Sequence, residues 1–534
     1  MKFSRKTFFI AFLFLSGSVS AQIQTSISNT LRYGNGKRSL GNTTSDFIYR
    51  ENLTDAIFRL PKNISVGFRF LYDNPPEIGQ EFTGISRRYI EYNNDDLYLR
   101  AGNFSELYGK GMANNLFENR GLAYDSWLDG VNVKYKFDDL IISALGGVMN
   151  FADSINFWRE ENYTLFGGNA EYKFNKYFTA GISFVSAEGE IPLPGTIHKL
   201  NAEVPEIYFN LITGDFELFV DWSQKWTSVE NGSSVKGSGI YAALNFNKGA
   251  LGVTLDYKNY KFDEQDPFAR YDFTRPTRIL PFQNPPIVMK EHSYLLLSRS
   301  IHQVDFNDEV GFQLEIFYLL KDDTFLTLNG SLTSRHNFYN YNSAEFSFEK
   351  ENRDGNFLPS TNDKYSPFWE YLIEAEHSLD DYTSLNIGFA QRSKVIYNDI
   401  SGSAASHKIS STVIPLLIQR TFNNAYAASI QYELEFVNDN YNTQQMKFNN
   451  QFISFVNSFL SVINLNLRYE FTSNDFEVSG RKDWFTVETG YRINQSNNIS
   501  LSFGRERGGQ TCSNGVCRYI QPFSGFKLTL LSNI

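Results

Sequence analysis

The chain has 534 residues with 59 Asp+Glu against 49 Lys+Arg, a formal net charge of -10, and that acidic balance excludes nucleic acid as a partner. Phe (49) and Tyr (31) are abundant while mean hydropathy is only -0.35, which suits a single membrane wall with apolar side chains toward lipid and polar ones toward a lumen. After the N-terminus no stretch reaches roughly 18 consecutive apolar residues, so a helical membrane protein is excluded and a closed barrel is the one membrane-spanning fold left.

In chain order, Lys2, Arg5 and Lys6 precede the apolar run Phe8 to Leu15 and the small residues Ser18-Val19-Ser20-Ala21. This predicts a secretory signal peptide over residues 1–21, because the run is shorter than the about 20 apolar residues of a membrane anchor. Cleavage removes three of the 49 positive charges and leaves 46 against 59 acids, a net of -13. No cysteine follows the cleavage site, so a lipid-anchored N-terminal cysteine is not expected. Residues 22–534 are read as one outer-membrane β-barrel whose first strand begins near Gln24, with no plug domain ahead of it.

Strict alternation then recurs along the chain. Phe216, Leu218, Val220, Trp222 and Trp226 share one face of a strand, with Glu217, Asp221, Ser223 and Lys225 on the other. Leu251, Val253, Leu255 and Tyr257 alternate with Thr254, Asp256 and Lys258, and Ile430, Tyr432, Leu434 and Phe436 with Gln431, Glu433 and Glu435. Ile463 to Thr472 repeats the pattern. Glu433 and Glu435 read as solvated wall residues rather than an acid/base pair.

Tight polar turns are expected near Lys176, Gly214, Lys248, Asp322, Asp380, Asn423 and Asn497, with a longer loop between each pair. The longest loops run about Asp263 to Asn307, rich in proline, and about Tyr339 to Tyr365. The spacing predicts an all-β fold: a large transmembrane antiparallel barrel of about 24 strands (range roughly 20–26), with short periplasmic turns, long extracellular loops and both termini in the periplasm. Soluble sandwiches, propellers and solenoids fit less well, since no fixed-period motif recurs and the strands exceed the usual soluble length. The last strand alternates Phe526, Leu528 and Leu530 with Lys527 and Thr529.

The densest unusual segment is Arg100 to Gly130, where a strand ending at Gly102 gives way to a loop at about 104–127. Arg100, Glu106, Lys110, Glu118, Arg120, Asp125 and Asp129 are the candidate lumen or constriction residues. Glycines at 109, 111 and 121 let such a loop fold tightly back. Two readings stand side by side: an inward loop whose charges of both signs set selectivity, or a brace whose charges pair with each other and with the wall. Gly109-Lys110-Gly111 lacks the spacing and the Ser/Thr of a phosphate-binding loop.

The two cysteines flank an Asn514-Gly515 pair, the preferred dipeptide of a type I′ hairpin turn. Pairing outward from that turn sets Ser513 opposite Val516 and Cys512 opposite Cys517, so an exported chain should carry a Cys512–Cys517 disulfide in the last extracellular loop. Closing so short a loop stiffens the tip more than it stabilises the barrel.

The run LYLRAGNFSELYGKGMANNLFENRGLAYDSWLDGVNVKYKF and the run GGQTCSNGVCRYIQPFSGFKLTL resemble a family of uncharacterised outer-membrane proteins of Bacteroidota-type bacteria. That resemblance implies location and fold and no settled activity. The Gly-x-Gly followed by Asp-Gly arrangement is also similar to porins of the alginate-export type, in which such charged loops line a solute path. No enzyme is expected: His198, His292, His302, His336, His377 and His407 are scattered, outside any Gly-x-Ser-x-Gly or His-Glu-x-x-His context. No catalytic residue, cofactor or metal site is expected, and the partners are outer-membrane lipid and other envelope proteins. The leading functional expectation is a channel or transport protein for small or extended polar solutes, gated by inward loops, in the outer membrane of a Gram-negative bacterium. The alternative is a structural or assembly component whose lumen is plugged by loops or a partner.

Overall fold

Period-two alternation favours extended segments with one wet and one apolar face, and closing them into a ring satisfies every strand edge. The computed structural model of the protein describes residues 23–534 apart from 41–42, 154–158, 194–195, 230–233, 264–279, 300, 322, 354, 403–404 and 514–515. The expected signal peptide, Pro267 and Pro276, the turn residue Asp322 and the Asn514-Gly515 pair lie outside the described residues.

The expected large all-β barrel is found: 24 antiparallel strands form one sheet, each paired with the wall strand before and after it. Gln24–Leu40 pairs with Thr43–Leu60 on one side and with the last strand, Phe523–Asn533, on the other, so the wall closes. The longest wall strands, Thr43–Leu60 and Thr196–Thr213, have 18 residues each and the shortest, Leu97–Phe104, has 8.

Turns and loops segregate to opposite rims. One rim carries short connections such as 61–63, 138–139, 214–215, 249–250 and 424–425, together with Gln24 and Asn533. Gly214 (φ 56) and Gly249 (φ 57) supply the left-handed conformation that such tight turns need. The other rim carries the long connections 74–81, 105–127, 262–308, 335–367, 473–482 and 507–522.

The outward face is apolar. Ile85, Ile90, Phe166, Ile182, Phe436 and Phe503 are all exposed there, while Asp221, Ser223 and Lys225 point inward and are buried. Near the short-turn rim Phe137, Phe174, Phe216, Phe422 and Phe459 form an exposed aromatic girdle, with Tyr172 and Phe174 4.7 Å apart and Tyr426 and Phe459 5.0 Å apart. Such a band with a girdle is what lipid requires of a barrel. Buried apolar clusters therefore lie inside the ring, where chain from the long-loop rim meets the wall.

Candidate functional site

Two connections fold into the lumen. The first, 105–127, leaves the wall after Phe104 and buries Tyr108, Met112, Ala113, Leu116 and Leu122. Gly109 (φ 50) brings the tip so close to the opposite wall that a Cβ there would lie 2.8 Å from both Asp221 and Glu206 carboxylate oxygens. The backbone N–H of Lys110 donates to Asp221 Oδ2 at 3.0 Å.

The candidate charges are largely paired. Glu106 accepts from Asn132 Nδ2 at 2.6 Å and from Lys134 Nζ at 2.8 Å. Glu118 meets Arg69 at 2.5 Å, Arg120 meets Glu51 at 3.1 Å and Asp73 at 3.3 Å, and Asp125 pairs with Arg87. Arg100 points into the lumen, pairs with Glu91 at 3.3 Å and stacks 3.6 Å from the centre of the Tyr89 ring. Lys110 instead sits 5.2 Å over the Phe219 ring.

Asp129 does not belong with them. Leu128 is the buried, inward residue that restarts the wall, so Asp129 shares the outward parity of Val131 and Tyr135. It pairs with Arg88 at 2.9 Å on the outer face.

The second inward connection is one the sequence reading treats only as a long outer loop. Its described part, 280–299 and 301–308, crosses the lumen. Near its start Phe282 packs in the cluster of Tyr163, Leu165, Val185 and Val204. Further on, the short helix Leu295–Ser298 packs Leu296 and Leu297 against Leu372, Ala390, Val413 and Phe452 on other strands. Glu433 accepts from the backbone N–H groups of Leu295 and Leu296 at 2.8 and 2.7 Å. Arg392 donates to the carbonyls of Leu297 and Leu296 at 2.8 and 3.0 Å and meets Glu435 at 3.3 Å. These carboxylates are thus buried anchors and not solvated wall residues: the segment needs partners for the unpaired backbone groups at both ends of a one-turn helix.

Other pins reinforce the crossing. Lys258 donates to Ile287 O at 2.8 Å and meets Glu309 at 2.5 Å, with both side chains buried. Arg299 meets Glu470 at 2.7 Å and His292 meets Glu370 at 2.5 Å. Burial holds the His302 ring below its ordinary pKa, although Glu309 Oε2 lies 3.0 Å away. The two inward segments also bind each other: Asn115 N–H donates to Phe282 O at 2.7 Å, Asn284 N–H to Gly111 O at 3.2 Å and Gln283 Nε2 to Met112 O at 2.8 Å.

Space remains around them. A cavity of about 650 Å³ runs from Glu106 and Lys110 to Ile141, Thr179 and Glu217, beside the short turns. A second of about 600 Å³ lies along Asn284 to Glu291 and reaches Phe117. Lys110, Tyr241 and Asp256 line both. Among the described residues no group of three or more His, Cys, Asp or Glu is arranged to hold a metal.

At the long-loop rim the hairpin Gly509–Ser513 with Val516–Ile520 carries the expected Cys512–Cys517 disulfide, in the expected register with Ser513 opposite Val516.

A family model, DUF6029, a family of unknown function, matches residues 5–534. No curated protein matches the sequence. Among solved structures, the siderophore receptor PirA from Pseudomonas aeruginosa is 9% identical with a TM-score of 0.48, over 97% of this chain and 81% of that one. The alcaligin receptor FauA from Bordetella pertussis is 9% identical with a TM-score of 0.42, over 96% and 76%. The P pilus usher PapC translocation pore is 10% identical with a TM-score of 0.42, over 96% and 99%.

Proposed function

The chain belongs to this family of unknown function, and we propose from its geometry that it is a gated transport barrel of a Gram-negative outer membrane. In this reading the short turns and both chain ends face the periplasm and the long loops face outward. A cleaved signal peptide directs export, and lipid is the surrounding partner. The observation that carries the reading is the pair of polar cavities that share Lys110, Tyr241 and Asp256. Lys110 stands on the loop 105–127, so movement of that loop joins or parts the two spaces. The crossing segment 280–308 is the frame against which it moves. Polar solutes suit the lining, which holds Glu106, Lys134, Asn169, Glu171, Asn210 and Glu217.

Planar-bilayer recording tests this. The intact barrel is expected to open briefly, and a variant with residues 105–127 replaced by a short Gly-Ser linker to conduct steadily. An intact barrel that never opens, beside a conducting variant, would mean a permanently sealed wall. That result favours a second reading, a structural component of an envelope complex, which draws support from Phe346, Phe357 and Leu358, exposed on the long-loop rim. Copurification from native membranes would then identify the partner. Enzymatic activity is not part of either reading.

A further inference from the structure

The wall is not of even height. Leu97–Phe104 has 8 residues, fewer than the about 9–11 that a tilted strand needs to cross the hydrocarbon. Its partner Leu128–Phe137 has 10, whereas the next strand, Leu140–Asp153, has 14, and the preceding one, Phe82–Asn93, has 12. Pairing of Phe82–Asn93 with Leu97–Phe104 stops at Tyr89–Gly102, and pairing of Leu140–Asp153 with Leu128–Phe137 stops at Val148–Asp129. Above that level two strands are missing between residues 82–88 on one bank and 149–153 on the other. At a strand spacing of about 4.8 Å this is a gap of roughly 14 Å.

What fills the gap is the small hairpin of Glu118–Asn119 and Tyr124–Asp125 from the inward loop. It is held by side chains: Asp125 to Arg87, Glu118 to Arg69, and Tyr124 against Phe151 with ring centres 5.3 Å apart. Among the described residues no backbone hydrogen bond joins the hairpin to either bank. Phe117 stacks on Tyr124 at 4.7 Å and lines the second lumen cavity, so the hairpin separates that cavity from the bilayer side.

Two further features gather at the sill of the gap. Gly102 (φ 107), Gly130 and Gly147 lie in register across three strands, where a Cβ on Gly102 would fall 2.2 Å from Arg88 O and one on Gly130 2.0 Å from Gly146 O. Such a row lets the sheet coil sharply. On the outer face stands the Arg88–Asp129 pair, with Arg88 62% exposed among the exposed Phe68, Ile85, Ile90, Val131 and Val148. A bulge at Ser86 turns Arg87 inward and Arg88 outward. Charge on the lipid-facing band is costly, and Asp129 takes only one Nη2 bond of the exposed Arg88 guanidinium, so the remaining donors point to an anionic group on the bilayer side.

We propose that this gap is a lateral portal between lumen and bilayer for an anionic amphiphile of the phospholipid class, with the hairpin 118–125 as its door and Arg88 as the head-group contact at its sill. The inference rests on the transport reading and gives it a second route, through the wall.

The test is photo-crosslinking of the full-length barrel in vesicles of phosphatidylcholine doped with phosphatidylglycerol that carries a diazirine in its acyl chain. Diazirine phosphatidylcholine and glycerol phosphate serve as the neutral and head-alone comparisons. Adducts are expected at Ile85 and Val148 and, behind the door, at Phe117. Arg88→Gln should reduce them at least fivefold, Arg50→Gln on another outward position should leave them unchanged, and Arg87→Ala should raise the Phe117 adduct. Heat-modifiable gel mobility verifies that each variant is folded. Adducts spread evenly round the apolar belt, or equal labelling by the neutral lipid, overturn the head-group site. Absence of a Phe117 adduct even in Arg87→Ala overturns the portal whether or not the barrel conducts. A Phe117 adduct in a barrel that never conducts upholds the portal and removes only the aqueous channel.

Discussion

The two segments inside the ring are held by different chemistry. The loop 105–127 ties its tip to Asp221 across the lumen, while several of its ion pairs nearer its own exit touch water: the Arg120 side chain is 31% exposed and that of Asp125 43%. The segment 280–299 and 301–308 reaches across the lumen, and its deepest tie is dry: Lys258, which donates to Ile287 O, has 0% side-chain exposure and Glu309 beside it 4%. A hydrated pair exchanges one partner for water at small cost, whereas a buried charge stripped of its partner has nowhere to go. In the gated reading proposed above, the difference separates the part that moves from the part that braces the barrel.

The comparison breaks most sharply at Lys258. Lys258→Met leaves Glu309 buried with only His302 and the Asp305 N–H beside it, and a loss of about 3–5 kcal/mol is expected in urea unfolding of the micelle-bound barrel. The double change Lys258→Met with Glu309→Leu should recover most of it. If the single variant unfolds like the wild type, the dry pair is not the brace described. Leu296→Ala comes next, at about 2–4 kcal/mol for a fully buried leucine, read from the same transition and from faster proteolysis within 280–299. Asp125→Ala should cost no more than about 1 kcal/mol, because that carboxylate is 43% exposed and Arg87 keeps Glu118 at 3.8 Å. A cost comparable to that of Lys258→Met would erase the distinction between the segments.

The smallest effect is a pH slope. Burial lowers the pKa of the folded His302 ring below its ordinary value of about 6.5, against the pull of Glu309. Its contribution is complete above that pH and declines as the pH falls below it, where the unfolded ring takes a proton that the folded one resists. His302→Gln should flatten the midpoint of unfolding between about pH 6.5 and 5. An unchanged slope would assign it to other groups.

Alternation made the wall legible in the sequence, because lipid on one side and water on the other impose the same two-residue period on every strand. The parity of Val131, Tyr135 and Phe137 also sufficed to place Asp129 outside, had the strand been extended back past Gly130. The crossing segment was harder to read. Its partners, such as Leu296 with Glu433 and Arg299 with Glu470, are far apart in the chain and meet only once the ring is closed. One local sign existed: Leu295-Leu296-Leu297 in a proline-rich loop is too apolar to be left in water. Glu433 and Glu435 look like any lumen carboxylate until that helix is set against them.

The seam between first and last strands has a consequence for assembly. Every other wall pairing joins neighbours in the chain and forms locally, but Ser28 meets Asn533 and Arg38 meets Phe523 only when the whole wall is present. Gly36 and Gly525 abut across this seam, with Gly504 in register on the strand before it, so closely that a Cβ on Gly525 would lie 2.3 Å from Asn35 O. The final zipping step thus has the longest loop to close and the least side-chain bulk in its way. Until it happens the sheet presents two open edges, which makes the last strand the part that a chaperone or insertase must guard.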